Sequence, residues 1–98
     1  MIQITFSVQG VPVRLTPERW EHITKRHPEL TGQEERVLEA VGNPDEVQRG
    51  DLGTLLAVKR QDSLYLVVVY RELADADGFV VTAYLAERLR RREVVWKP

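Results

Sequence analysis

Apolar and polar positions along the chain first alternate and then change period. Ile2, Ile4 and Phe6 fall on one side, and Gln3, Thr5 and Ser7 on the other; the short run "VPVRL" follows after "QG". Period two is the strand period, so this opening predicts a hairpin or a pair of edge strands, because Pro12 lacks the amide that a central ladder requires. The segment "TPERW" then brings in the helical period. Thr16 is placed as an N-cap, Pro17 suits the first helical position, and Glu18 puts negative charge in the first turn. The helix is expected to end near His27, since Pro28 biases its predecessor away from the α region. A second helix is predicted in "GQEERVLEAVGNP", where Val37, Leu38 and Val41 form an apolar stripe and Gly42, Asn43 and Pro44 supply a stop.

From about residue 46 period two returns. "EVQRG", "TLLAVKR", "SLYLVVVYR", "GFVVTAYLAE" and "EVVW" read as strands, the third carrying the strongest β signal. "LAERLRRR" fits both periods: Leu85 and Leu89 match a helix, while Ala83 and Leu85 continue a strand. The loops "RQDS" and "LADADG" are short enough to join antiparallel neighbours, the latter leading into the "ADADG" turn. The expected fold class is α+β, a single domain over residues 1–98 with two N-terminal helices packed on an antiparallel sheet of four or five strands.

Composition narrows the chemistry. The 98 residues include no cysteine, which excludes disulfides, thiolate nucleophiles and cysteine-ligated zinc. No basic segment precedes an apolar one at the start, and the longest apolar run, "YLVVVY", is far shorter than the roughly 20 residues a membrane helix needs. No membrane association and a cytoplasmic setting are the expectations. A formal charge of −1 offers nucleic acid no global attraction. Locally, though, "AERLRRREVVWK" sets five cations (Arg88, Arg90, Arg91, Arg92 and Lys97) against two acids, Glu87 and Glu93. Such a run is commonly a solvated face and becomes an anion site only when the fold puts it beside other donors.

Both histidines lie within "HITKRHPEL". On a helix, Trp20, Ile23 and His27 share one broad stripe, while His22 projects outward with Arg26. The two imidazoles stand about 140° apart around the axis, so they do not form the i, i+4 pair that two helical metal ligands need. No metal and no cofactor are expected. His27 reads as a partly buried cap of the helix C-terminus or as a working imidazole. His22 reads as a plain exposed side chain or as a proton carrier in the physiological range.

Thr82 and Tyr84 share a face of "GFVVTAYLAE". Arg71 ends the preceding strand, and Lys59 with Arg60 ends the one before it; these are expected to meet at a common rim near a histidine. Hydroxyls, cations and an imidazole are the inventory of metal-independent RNA cleavage. There a base takes the 2′-hydroxyl proton, an acid protonates the departing 5′-oxygen, and donors stabilise the phosphorane. Trp20, Tyr70, Tyr84 or Trp96 would stack an unpaired base wherever one is exposed.

The succession "ERWEHITKRHPEL", "VLEAVGNPDEV", "LLAVKR", "YLVVVYRE", "GFVVTAYLAERL" and a terminal "VVW" resembles a family of small phage- and mobile-element-associated proteins within the barnase, EndoU, colicin and RelE-like nuclease superfamily. The resemblance runs from about residue 14 onward. It implies helices packed on a four-stranded antiparallel sheet and a toxin-like, metal-independent endoribonuclease acting on single-stranded or loop RNA. By position it points to His22, His27, Lys59, Arg71, Thr82 and Tyr84 as catalytic residues, either histidine serving as base or acid. Partners consistent with it are RNA, an immunity protein, or further copies of the chain. The alternative is a non-enzymatic interaction or oligomerisation module on the same fold, its short edge strands pairing with a partner, Trp96 as anchor and Arg88 to Arg92 as polar rim.

Overall fold

Local chemistry sets the two helices. A computed structural model, describing residues 1–74 and 76–98, places α1 at Pro17–Arg26. The Thr16 hydroxyl accepts from the Arg19 amide at 3.1 Å, Pro17 starts the helix, and the His27 amide closes it on the Ile23 carbonyl at 2.8 Å. Pro28–Leu30 forms one 3-10 turn, and α2 spans Glu34–Gly42. Trp20 and Ile23 of α1, with Val37, Leu38, Ala40 and Val41 of α2, supply the apolar stripes that cover the sheet.

The strands are β1 (Gln3–Phe6), β2 (Pro12–Leu15), β3 (Glu46–Arg49), β4 (Leu55–Gln61), β5 (Leu64–Ala74), β6 (Asp77–Ala86) and β7 (Val94–Trp96). They form one seven-stranded sheet in the order β1-β2-β6-β5-β4-β3-β7. The α+β class and the two packed helices agree with the sequence reading, but four or five antiparallel strands is an undercount. The N-terminal hairpin does not stand apart. It joins the main sheet where β2 runs parallel to β6, meeting it at one register position, Arg14 opposite Phe79, so the sheet is mixed. The "ADADG" turn includes residue 75, which lies outside the described residues.

Each strand divides its side chains between a helix side and an open side. On the helix side, Val13, Leu15, Ala57, Leu66, Val68, Tyr70, Val80 and Ala83 pack with the helices into the main core. On the open side, Leu56, Val58 and Val67 form a smaller cluster with Tyr65, Val69 and Tyr84. A bulge decides the allocation along β6. Val69 faces Thr82 but Tyr70 faces Val80, so Val81 is the extra residue. Val80 therefore enters the main core, although simple alternation groups it with Thr82 and Tyr84.

From Ala86 the chain crosses the open side to reach β7 at the far edge. The segment 87–93 is neither helix nor strand. Leu89 anchors it on the open-side cluster, and its far end is held by ion pairs Arg92–Asp51 at 3.2 Å and Arg49–Glu93 at 3.0 Å. This strap shields apolar side chains that the central strands, apolar on both faces, would otherwise expose. Among the described residues no helix is long and apolar enough to cross a membrane.

Candidate functional site

Tyr84 joins two groups of side chains. Beyond Phe79, β6 has no strand partner on its β2 flank among the described residues, and α1 packs against it. There the half-buried His27, at the C-cap of α1, meets Tyr84: the ring centroids are 6.1 Å apart and the planes tilt by 38°. The Nδ1 atom of His27 lies 3.6 Å from a Glu29 carboxylate oxygen. A carboxylate at one imidazole nitrogen fixes the orientation of the ring.

On the open side Tyr84 also lines a cleft of about 90 Å³ beneath the strap, with Gln48, Arg88, Arg90 and Arg92 around it and Leu56 and Val67 as its floor. Arg92 is only 16 % exposed. One of its terminal nitrogens, Nη1, donates to Asp51, while its Nε is buried without an acceptor among the described residues. A sequestered N–H without a partner costs about 1–3 kcal/mol. Among the described residues no carboxylate pairs with Arg88 or Arg90, in contrast to Arg14, Arg49 and Arg92. The volume suits a phosphate-sized group and is too small for a nucleotide.

The rim expected from the sequence is not assembled. Antiparallel pairing sets Lys59 opposite Leu66 at one end of β5 and Arg71 opposite Phe79 near the other, about 16 Å away along the strand. They also lie on opposite sides, Lys59 on the helix side and Arg71 on the open side. Lys59 donates to the Asn43 carbonyl at 2.8 Å and approaches Asp45 at 4.0 Å. Arg71 donates to the Leu52 carbonyl and so holds the turn between β3 and β4. His22 is exposed on the outer face of α1, in shallow hollows formed by α1 and its cap, beside Thr16, Glu18, Arg19, Glu21 and Lys25. Thr82, opposite Val69, lies two residues from Tyr84 on the same open side. Of the six residues singled out, the structure brings together His27 and Tyr84, with Thr82 adjacent.

Sequence reasoning did not include Gln48, Arg88, Arg90 and Arg92 in the site. The basic run was the available signal, but its placement over the sheet depends on the strap, which has no local signature. A larger cleft, about 330 Å³, lies at the start of β1 between Leu15, Trp20, Glu21 and Glu34. Its two carboxylates disfavour an anion. Among the described residues no three His, Cys, Asp or Glu side chains group closely enough to hold a metal ion. Comparison with family models, curated proteins and solved structures gave no match to this chain.

Proposed function

We propose that the chain binds the backbone of single-stranded or loop RNA on the open side of its sheet and cleaves it without a metal. His27 acts as general base, Tyr84 as proton donor, and Arg88, Arg90 and Arg92 hold the scissile phosphate. The supporting observation is the position of Tyr84, which touches the His27 ring on one side and lines the arginine cleft on the other. His27 takes the proton of the 2′-hydroxyl as that oxygen bonds to phosphorus. The P–O5′ bond breaks, the 5′-oxygen takes a proton from Tyr84, and the products are a 2′,3′-cyclic phosphate and a free 5′-hydroxyl. Charge gathering on the nonbridging oxygens is met by the Arg88, Arg90 and Arg92 guanidinium groups and by the Thr82 hydroxyl. Arg71 and Lys59 serve the fold in this reading, and His22 has no part in the chemistry.

The test is incubation of the purified chain with mixed RNA in EDTA, with fragment ends identified chemically. Fragments ending in 2′,3′-cyclic phosphate are expected, with rates lowered at least tenfold in Tyr84→Phe and in Arg92→Gln. Absence of cleavage across a broad RNA panel by folded protein overturns the catalytic reading, and cleavage indifferent to both substitutions overturns the site.

A further inference from the structure

The two edges of the sheet are built differently. At one edge β7 has three residues, is preceded by Arg92 and Glu93, and is followed by Lys97 and Pro98. Short length, charge and proline are the usual means of keeping an edge from pairing. At the other edge, residues 1–9 contain no charged side chain and no proline. The strand β1 and the residue before it instead turn their apolar side chains outward: Ile2 is 53 % exposed, Ile4 55 % and Phe6 61 %, while Thr5 faces the end of α2 and Ser7, just after the strand, is buried against Glu72.

The hydrogen-bond phase of β1 matches this outward set. The Ser7 amide donates to the Val11 carbonyl at 2.9 Å, which makes Ser7 and Val11 a hydrogen-bonded pair of the hairpin. Hydrogen-bonded and non-hydrogen-bonded pairs alternate in an antiparallel ladder. Thr5–Val13 and Gln3–Leu15 are therefore bonded inward, and Ile4–Arg14 and Phe6–Pro12 are not. The amides and carbonyls of Ile2, Ile4 and Phe6 consequently point away from β2, at the free edge. The residues with exposed apolar side chains are the ones with unpaired backbone groups.

We infer that β1 pairs antiparallel with β1 of a second copy of this chain, about a two-fold axis at Ile4. That register sets Ile4 opposite Ile4 and Ile2 opposite Phe6, all as hydrogen-bonded pairs, with no like charges facing. A register shifted by one residue would pair the outward groups with inward-bonded ones. With a fully exposed large side chain presenting roughly 200 Å², Met1, Ile2, Ile4 and Phe6 offer about 500 Å² per copy at their exposures. The pair thus buries at most about 1,000 Å², since side chains of a continuous sheet keep their outer face in solvent, so the dimer is weak and concentration-dependent. The axis stands normal to the sheet, so both open sides face the same way and the two arginine clefts share one surface. This inference rests on β1 alone and is independent of RNA cleavage.

Because the chain has no cysteine, one substitution tests the register. Directly opposed residues of a hydrogen-bonded pair have Cα atoms about 5.5 Å apart, within the range a disulfide spans. Under mild oxidation at roughly 100 µM chain, well above the sub-micromolar range of tight complexes, Ile4→Cys should form a covalent dimer while Gln3→Cys should not. In sedimentation, Ile4→Lys should weaken the dimer at least a hundredfold, while Val95→Lys on β7 leaves it unchanged. Circular dichroism checks that these surface variants are folded. Failure of folded Ile4→Cys to cross-link, dissociation by Val95→Lys in place of Ile4→Lys, or growth into species larger than dimers would each overturn the proposal.

Discussion

Replacing Tyr70 by Phe should make the protein more stable. The side chain is fully buried in the main core between β4 and β6, at 0 % exposure, and its hydroxyl has no hydrogen-bond partner among the described residues. Leaving such a group dry and unpaired costs about 1–3 kcal/mol. Phe keeps the ring and removes only the oxygen, whose lost dispersion contacts amount to about 0.5 kcal/mol. The net gain is about 1–2 kcal/mol, or roughly 5–10 °C in Tm for a domain of this size. Alkali adds a second signature. Burial, with a smaller contribution from the Glu72 carboxylate, holds the Tyr70 phenol well above its ordinary range. Above about pH 10 the unfolded chain loses this proton while the folded chain keeps it. The unfolded state then binds fewer protons, and the parent loses stability with rising pH by up to about 1.4 kcal/mol per unit, a loss Tyr70→Phe escapes. Urea unfolding of both proteins at about pH 7 and about pH 11 measures the two effects. A variant destabilised by more than about 1 kcal/mol at neutral pH would mean that the hydroxyl is paired in the native state, and an unchanged gap in alkali would refute the burial argument.

Two backbone positions give further predictions. A Cβ at Gly78 would stand 2.6 Å from the Arg71 carbonyl oxygen and 3.2 Å from that of Pro12, so main chain closes on it from both neighbouring strands. Gly78→Ala should cost about 3 kcal/mol in urea unfolding, and a loss under about 1 kcal/mol would show that the strands give way easily. Leu52 and Gly53 occupy the turn between β3 and β4 with φ of 55° and 80°, and Leu52 is 89 % exposed. Leu52→Asn should therefore stabilise by about 1 kcal/mol by supplying the Asn-Gly pair such turns favour, with a fall in Tm as the contrary result.

What was legible in the sequence was local. The start of α1 follows from one hydroxyl and one proline, and the Thr16–Arg19 hydrogen bond bears this out. Both helices and all seven strands correspond to segments whose period was readable. Pairing was less so: nothing near Pro12 tells that its strand will touch β6 through a single residue pair. The bulge at Val81 interrupts no pattern in "GFVVTAY", since valine suits either side of a sheet, yet it moves Val80 into the core. In "LAERLRRR" two leucines fit two periods, and the strap follows neither because Leu89 answers to the apolar open side of other strands. The expected rim failed for a geometric reason, as the ends of consecutive antiparallel strands lie at opposite margins of a sheet. His27 and Tyr84 were both singled out, but their contact depends on a stretch of β6 that β2 leaves uncovered.

The central claim is that His27, and not His22, carries the chemistry. The direct measurement is kcat/KM for RNA cleavage in EDTA across pH for the parent, His27→Ala and His22→Ala, each shown to be folded by circular dichroism. Loss of a general base should lower the rate by roughly 10²–10⁴-fold in His27→Ala. His22→Ala should keep the parent's rate and profile. Equal losses in the two variants, or a His27→Ala protein that cleaves as the parent does, would contradict the account.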